Sequence, residues 1–313
     1  MKPSQRHLAL LSRWGGLSLS AALLCACSST PLPPTEGEPP ASAVSAPSAA
    51  SAAASASTAQ VEAVTTAVIT PQVLSTPGDA DSYSARDDAR ALARDIAQAH
   101  ELDEAWVWSA LSAARYKSQA ARLMMPAPRG TAKNWGVYRS RFIEPIRIRA
   151  GIAFWQQYQA ELQRAQAQYG VPAEIIAGVI GVETIYGRYT GNFRVLDVLT
   201  TLSLDFPTGR SDRSPFFKKE LGAFLKLCAE QQLAPDAVLG SYAGAIGWPQ
   251  FMPSSIRRWG VDFDGDGQVN LQRSPVDAIG SVAHYLAEHG WRTGQPTYFD
   301  VTPPEDAAAR AKL

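Results

Sequence analysis

Cysteine is scarce in this chain of 313 residues, which contains three: Cys25, Cys27 and Cys228. The first two belong to the N-terminal signal described below, so Cys228 stands alone and no intramolecular disulfide is expected. Cys228 also repeats at helical spacing with the apolar residues Phe217 and Phe224. This spacing predicts a buried structural thiol rather than a nucleophile.

Histidine and excess positive charge are also lacking. The chain has four histidines, and their spacing offers no zinc site. The chain has 29 lysines and arginines and 29 aspartates and glutamates. Residues 1–26 contain three of the basic residues and none of the acidic ones. The rest of the chain therefore has 26 basic and 29 acidic residues, a net charge of −3. The sequence therefore gives no support for nucleic-acid binding, whereas a neutral or anionic polysaccharide stays open as a substrate.

The N-terminus has the pattern of a secretion signal. Three basic residues precede an apolar run from Leu17 to Leu24, which is too short to span a membrane as a mature helix. The run ends in Leu24-Cys25-Ala26-Cys27, which resembles a bacterial lipobox with Cys27 as the lipidated residue. Ser28 follows, and by resemblance to bacterial sorting rules this implies the periplasmic face of the outer membrane. The alternative is an ordinary cleaved signal with incidental cysteines.

Residues 27–82 are rich in Ala, Ser, Pro and Thr and contain no aromatic residue. Such a segment cannot bury enough apolar surface to order itself, so we expect a disordered tether. At ~5–6 Å × √n, its typical span is on the order of 40 Å. The sequence thus divides into a signal peptide (1–26), a tether (27–82) and a folded domain (83–313).

The folded part is expected to be mainly α, or α+β with little strand. Periodicity predicts helices at 84–100, from the Asp103 cap to about 116, and at 152–169, 171–187, 194–202, 215–232 and 275–289. Gly170 is a candidate left-handed C-cap, residues 205–213 a polar loop, and the only strand signal covers 297–302. This order excludes an alternating βαβ fold.

Glu183 is a carboxyl on an apolar helical stripe. Ile176, Val179, Ile180 and Tyr186 are expected to share its face. Burial disfavours the charged form and raises the pKa of a carboxyl, which suits a general acid. The alternative is a structural Glu paired with an arginine.

A second candidate site is the segment Gly240-Ser-Tyr-Ala-Gly-Ala-Ile-Gly-Trp-Pro-Gln-Phe-Met-Pro-Ser-Ser255. Its glycines allow a close backbone approach, Ser241 and Gln250 offer hydrogen-bonding groups, and its aromatic residues offer flat faces that suit a sugar ring. A tight helix–loop packing junction is the alternative interpretation.

Together with Gly181-Val-Glu-Thr-Ile-Tyr-Gly187, this segment resembles the membrane-bound lytic murein transglycosylase B family (glycoside hydrolase family 103). The resemblance runs from about Tyr138 to Trp291 and includes Asp277-Ala-Ile-Gly-Ser-Val-Ala-His-Tyr285. It implies a periplasmic lipoprotein that cleaves peptidoglycan, with a helical region at 83–150 and a lysozyme-like core at 151–291. The family usually continues into a further C-terminal segment, which this sequence does not show.

The resemblance also assigns roles. Glu183 matches the single catalytic acid/base, and Ser241 matches a contact to the N-acetyl region of the substrate. Groove-lining residues are implied at five positions: Tyr138, Arg213, Gln250, Phe251 and Tyr285. Because the loop before Arg213 is longer than is usual in the family, Arg210 is an alternative candidate for the groove arginine.

Only one suitable acid is visible, although most glycosidases need two carboxylates. Asp197 and Asp205 lie in segments that are better interpreted as structural. The resemblance implies that the substrate supplies the missing group and that a 1,6-anhydro ring forms without water. A hydrolytic muramidase and a non-catalytic peptidoglycan-binding lipoprotein are the alternatives.

Residues 262–277 resemble the start of an EF-hand loop. The oxygen ligands at loop positions 1, 3, 5 and 7 are Asp262, Asp264, Asp266 and the Gln268 carbonyl. The family resemblance implies that Asp277 closes the loop. A structural Ca²⁺ is the expected cofactor, with a metal-free Asp/Gly turn as the alternative.

Overall fold

The computed structural model of the protein describes residues 81–126 and 134–310, which all belong to one compact unit. The described part is built almost wholly of helices, which confirms the mainly α prediction. The helices are α1 Asp87–His100, α2 Glu104–Ala113, α3 Ser118–Leu123, α4 Trp135–Ser140, α5 Pro145–Gln157, α6 Gln159–Tyr169, α7 Ala173–Thr184, α8 Val195–Leu204, α9 Ser214–Glu230, α10 Pro253–Trp259, α11 Pro275–Glu288 and α12 Ala307–Arg310. The predicted signal, its Cys27 and nearly all of the tether lie outside the described residues.

Helix α8 forms the centre of the core. Every residue from Val195 to Ser203 is buried, and the helix packs against α9, α3 and α2. Helix α7, which carries Glu183, packs against α5, α6 and α11. The apolar run that the sequence places around Glu183 is therefore used to fix α7 between three helices.

Two strands of two residues each, β1 Phe193–Arg194 and β2 Leu239–Gly240, pair antiparallel with Phe193 opposite Gly240. This pairing ties the chain just before α8 to the start of the Gly240–Ser255 segment. No helix within 81–126 and 134–310 is both long and apolar enough to cross a membrane.

Several predicted helix ends are confirmed. Asp103 caps α2 by accepting a hydrogen bond from the Trp106 N–H at 2.7 Å, and Gly170 ends α6 with φ 71°. Cys228 is buried on α9, and burial raises the pKa of its thiol to about 12, as expected of a structural cysteine.

Other predictions were wrong. The single helix predicted for 152–169 begins earlier, at Pro145, and breaks at Tyr158, where φ is −115° and ψ 26°. No glycine or proline marks this break. Residues 297–302 form no strand but an exposed irregular segment, since no neighbouring strand pairs with them in the described structure. The short helices α3, α4, α10 and α12 escaped prediction because each covers at most two turns, too few for a clear period.

Candidate active site

Glu183 lies in the last turn of α7. The helix ends at Thr184, and the next three residues, Ile185, Tyr186 and Gly187, all have positive φ (50°, 55° and 80°). The expectation that the helix continues to Gly187 with Tyr186 on the face of Glu183 was therefore wrong. A left-handed turn follows instead, and it places Glu183 where the helix gives way to a loop.

The turn after α7 is held by the Tyr186 ring. An added Cβ at Gly181 would lie 2.5 Å from this ring, and one at Gly151 on α5 would lie 2.6 Å from its hydroxyl. Phe154 packs on the same ring at a centroid distance of 5.0 Å. Tyr186 therefore fills a slot between α5 and α7 that exists only because both helices carry glycine there, and this packing fixes the end of α7.

The carboxyl of Glu183 is half-buried and unpaired. Within the described residues it makes no hydrogen bond and no ion pair, which argues against the structural Glu–Arg pair. Burial alone raises the pKa of Glu183 to about 7. A carboxyl that ionises near neutral pH holds a proton to donate and accepts one back easily, as acid–base catalysis requires.

The end of α7 is joined directly to the Gly240–Ser255 segment through Trp248. Thr184, next to Glu183, donates from Oγ1 to the Trp248 carbonyl at 2.9 Å and accepts from the Gly187 N–H at 3.0 Å. A Cβ at Gly187 would lie 2.5 Å from the Trp248 ring. The structure thus brings the two sequence segments together, and the glycine after α7 is required by the close approach of Trp248.

Gln250 is buried in the same junction, in a left-handed conformation with φ 52°. Its Nε2 donates to the Thr190 carbonyl at 3.1 Å and to the Gly247 carbonyl at 3.0 Å. Both amide hydrogens are thereby used, while Oε1 makes no hydrogen bond to the described residues. The side chain is locked in orientation and presents one acceptor.

Ser241 is buried in a tight turn that begins the segment. Its N–H donates to the Ala245 carbonyl at 2.8 Å, and its Oγ accepts from the Ala245 N–H at 3.0 Å and the Ala243 N–H at 3.4 Å. A hydroxyl that accepts from two backbone groups still has its own hydrogen to donate. Ser241 therefore organises the turn and retains one donor.

Phe251 and Tyr285 are in contact, with ring centroids 5.1 Å apart. Tyr285, on α11, also packs against Trp259 at 5.1 Å and stacks on His289 at 3.9 Å. Burial in this aromatic cluster raises the pKa of the Tyr285 hydroxyl. The cluster fixes the far end of the Gly240–Ser255 segment.

Tyr138, on α4, reaches the Glu183 helix through a chain of contacts. Its ring lies 4.9 Å from that of Phe142, and the Arg147 guanidinium lies 5.5 Å from the Phe142 ring. Arg147 in turn donates to the Gly181 carbonyl at 2.9 Å, two residues before Glu183. Arg147 was missed at the sequence level, because nothing in its local pattern distinguishes it from its neighbouring arginines.

The two candidate groove arginines have different environments. Arg210 donates to the Met124 carbonyl and is thereby held against the loop after α3. Arg213 lies over the Phe216 ring at 4.8 Å and makes no hydrogen bond or ion pair with the described residues. Burial and the nearby Arg210 charge lower its pKa. Arg213 is thus the guanidinium that remains available to a ligand.

Three carboxylates gather in the loop between α10 and α11. Asp262, Asp264 and Asp266 each place an oxygen within 4.8 Å of the others. Asp277 is fully buried instead, and its carboxylate accepts the N–H groups of Phe263 at 2.8 Å and Asn270 at 2.7 Å. Asp277 holds the two arms of the loop together, whereas the first three aspartates form the cluster of hard oxygen donors that suits Ca²⁺.

Three other carboxylates, two buried and one half-buried, are engaged in structural contacts. Asp197 accepts from the Arg115 N–H at 3.0 Å and lies 3.3 Å from Lys117 Nζ. Asp205 accepts from the Tyr83 hydroxyl at 2.7 Å, and Glu220 accepts from the Ser254 hydroxyl at 2.6 Å. Glu183, which is half-buried, has no such partner among the described residues.

Residues 84–313 match the transglycosylase SLT domain. The chain belongs to this family. It is 44% identical over 203 residues to membrane-bound lytic murein transglycosylase B of Escherichia coli strain K12, an alignment that covers 62% of this chain and 55% of that protein. The chain thus spans little more than half of that relative.

Two solved structures show the same fold as this SLT domain. The E. coli lytic transglycosylase Slt35 in complex with calcium is 43% identical, with a TM-score of 0.61 over 67% of this chain and 65% of that one. SltB3 from Pseudomonas aeruginosa in complex with NAG-NAM-pentapeptide is 30% identical, with a TM-score of 0.61 over 70% of this chain and 57% of that one.

Proposed function

We propose that the chain is a lytic transglycosylase that cleaves the β-1,4 bond between N-acetylmuramic acid and N-acetylglucosamine in peptidoglycan. The observation that carries the proposal is Glu183, a half-buried, unpaired carboxyl with a pKa raised to about 7, beside the Gly240–Ser255 segment. Family membership and the lytic murein transglycosylase activity of the E. coli relative support the same reaction. The peptidoglycan fragment bound by SltB3 supports the substrate class.

The mechanism uses one carboxyl twice. Protonated Glu183 donates its proton to the glycosidic oxygen as the bond to the muramic acid C1 breaks. The substrate's acetamido oxygen stabilises the positive C1, which removes the need for a second protein carboxylate. Glu183, now ionised, takes the proton of the muramic acid C6 hydroxyl, and the C6 oxygen bonds to C1. The enzyme is restored, and the product is a 1,6-anhydro sugar.

The groove residues are proposed to orient this substrate. Ser241 and Gln250 each retain one hydrogen-bonding group, a donor and an acceptor respectively, which suits an N-acetyl arm. Phe251, Tyr285 and Tyr138 supply aromatic surface for sugar rings. Arg213 is proposed as the groove cation, because Arg210 is already hydrogen-bonded to the Met124 carbonyl. The lactyl or peptide carboxylates of the muramic acid stem are the proposed partners of Arg213.

A structural Ca²⁺ is proposed for the loop between α10 and α11. Asp262, Asp264 and Asp266, with the Gln268 carbonyl, would hold it. Asp277 was expected to close the loop as a further ligand, but both of its oxygens accept backbone N–H groups, so we propose that it holds the surrounding backbone instead. The convergence of three carboxylates supports this, because they repel each other without a cation. The calcium complex of Slt35 supports the choice of metal. The ion would stiffen the loop against α11, away from the chemistry at Glu183.

The sequence of the N-terminus supports a proposed place of action. Lipidation of Cys27 would anchor the chain in the inner leaflet of the outer membrane, and residues 27–82 would let the SLT domain reach the peptidoglycan layer. Labelling with a radioactive fatty acid tests this: the wild-type chain should be labelled and Cys27→Ala should not. Equal labelling of both chains contradicts the proposed anchor.

Replacement of Glu183 by glutamine tests the catalytic proposal. Glu183→Gln keeps the shape but can neither donate nor accept the proton, so we expect murein lysis to fall by at least about a hundredfold, as is typical for loss of a general acid. Binding to intact sacculi should persist. Glu174→Gln, an exposed carboxyl in the first turn of the same helix, is the matched control and should lyse normally. Lysis by Glu183→Gln at a near-normal rate rejects Glu183 as the acid.

A further inference from the structure

Helix α4 has no buried residue along its whole length, from Trp135 to Ser140. Packing against the core therefore does not fix its position. Yet α4 carries Tyr138, which is proposed to line the same groove as Glu183. Some other contact has to set the place of Tyr138 relative to the Glu183 helix.

The Arg147 guanidinium contacts the end of α4 and the turn that follows it. Its Nη1 donates to the carbonyl of Arg141, the residue that ends α4, and pairs with Glu144 at 2.9 Å. The guanidinium carbon lies 5.5 Å from the centre of the Phe142 ring, within the range of a cation–π contact. Phe142 in turn packs on Tyr138 at a centroid distance of 4.9 Å. Arg147 is thereby connected to Tyr138 through one aromatic ring.

The same guanidinium bonds to the helix that carries Glu183. Arg147 Nε donates to the Gly181 carbonyl at 2.9 Å. This carbonyl lies in the last turn of α7, where the helix dipole favours a positive charge. Only 13% of the Arg147 side chain is exposed, so water competes little for these bonds. A lysine cannot replace this arrangement, because its ammonium lacks the fork of donors that reaches several partners at once.

We propose that Arg147 is a positioning residue that holds Tyr138 at a fixed place relative to the Glu183 helix. It acts through the Phe142 ring and the turn after α4 rather than on the substrate itself. The inference rests on the proposed function and deepens it, because it identifies what orders the part of the groove that α4 carries.

The supports of α7 indicate which kinetic constant depends on Arg147. Thr184 donates to the Trp248 carbonyl at 2.9 Å, and the Tyr186 ring fills the slot between α5 and α7. These contacts hold the catalytic carboxyl without Arg147, whereas α4 has no buried residue to replace the lost bonds. Loss of Arg147 should therefore weaken sugar binding and leave the chemical step nearly intact.

Kinetics on purified sacculi test the inference. Arg147→Gln should raise KM about tenfold, the typical effect of losing one well-placed aromatic contact, while kcat stays within about threefold. The rate should still decline as pH rises through about 7, because Glu183 keeps its surroundings. Arg147→Lys should resemble Arg147→Gln. The matched control is Arg149→Gln, an exposed arginine on the same helix without a side-chain hydrogen bond or ion pair to the described residues, and it should resemble wild type.

A double-mutant cycle separates positioning from a merely structural role. Tyr138→Ala should also raise KM about tenfold, and adding Arg147→Gln to it should raise KM by no more than about twofold further, since Arg147 then has no groove tyrosine to hold. Independent effects that multiply to about a hundredfold overturn the inference. So does an unchanged KM in Arg147→Gln, an equal fall in kcat, or a normal KM in Arg147→Lys.

Hydrogen exchange tests the inference without relying on lysis. The amides of α4 (135–140) should exchange at least about tenfold faster in Arg147→Gln than in wild type, whereas those of α7 should keep their rates. Equal exchange of α4 in both chains contradicts the inference. Failure of the proposed function has a different signature, because the wild type would then release no muropeptides while the exchange result still decides whether Arg147 holds α4.

Discussion

Replacement of Glu183 by glutamine should stabilise the fold, and the gain should depend on pH. Burial raises the pKa of Glu183 from 4.5 to about 7 in the folded state. Below pH 4.5 both the folded and the unfolded chain hold the proton, so the group has no effect. Between pH 4.5 and about 7 only the folded chain holds the proton, so the free energy of unfolding falls as pH rises. Above pH 7 the full cost of burying the charge is present.

The size of this cost follows from the pKa shift. One pKa unit corresponds to about 1.4 kcal/mol, so a rise from 4.5 to about 7 destabilises the wild type by up to about 3 kcal/mol at pH 8. Water at the half-exposed carboxyl reduces this figure, so about 2 kcal/mol is a working value. For a domain of this size, 1 kcal/mol moves the melting temperature by roughly 2–4 °C. Glu183→Gln should therefore melt roughly 4–8 °C above wild type at pH 8.

Differential scanning calorimetry from pH 4 to pH 8 measures this difference. The gap between Glu183→Gln and wild type should be small at pH 4 and should widen until pH 8, whereas Glu174→Gln should follow wild type throughout. A gap that stays constant with pH, or that narrows as pH rises, would refute the reasoning that desolvation controls this carboxyl.

Three other predictions address the site and its supports. Murein lysis by the wild type should decline as pH rises through about 7, because the ionised Glu183 can no longer donate; a rate that stays flat to pH 9 contradicts this. Gly187→Ala should lower the free energy of unfolding by at least about 1 kcal/mol, as measured by thermal melting. Its φ of 80° and the Trp248 ring, which would lie 2.5 Å from an added Cβ, both oppose a side chain there. Gly294→Ala, at φ 81° but with open space around it, is the control for the backbone effect alone. A calcium chelator should lower the melting temperature of the wild type but not of Asp264→Asn with Asp266→Asn, and an unchanged wild type would remove calcium from the account.

The sequence alone predicted the mainly helical fold class and a Glu183 carboxyl set in an apolar helix. Both predictions depend on apolar periodicity, which is a local feature of the sequence. Asp103 and Gly170 were predictable as helix ends for the same reason, since capping depends on neighbouring residues. The family resemblance, and not periodicity, suggested that Ser241 and Gln250 share a site with Glu183.

The structure added what depends on distant contacts. The left-handed turn at Ile185–Gly187 exists because Tyr186 packs on Gly151, which lies more than thirty residues away. A helical pattern continues through Tyr186, so periodicity alone placed that ring on the wrong face. The hydrogen bond from Arg147 to the Gly181 carbonyl likewise depends on residues that are distant in the sequence. So does the difference between Arg210, which donates to the Met124 carbonyl, and Arg213, which does not. The break at Tyr158 has no local cause in the sequence at all.

The most direct test of the central claim is the mass of the products released from purified sacculi in water enriched in oxygen-18. Ring closure by the C6 hydroxyl uses no solvent, so the muropeptides should end in 1,6-anhydromuramic acid, one water lighter than a reducing end and without the heavy isotope. Glu183→Gln should release neither product. Reducing ends that carry oxygen-18 would show a hydrolytic muramidase and contradict the lytic mechanism.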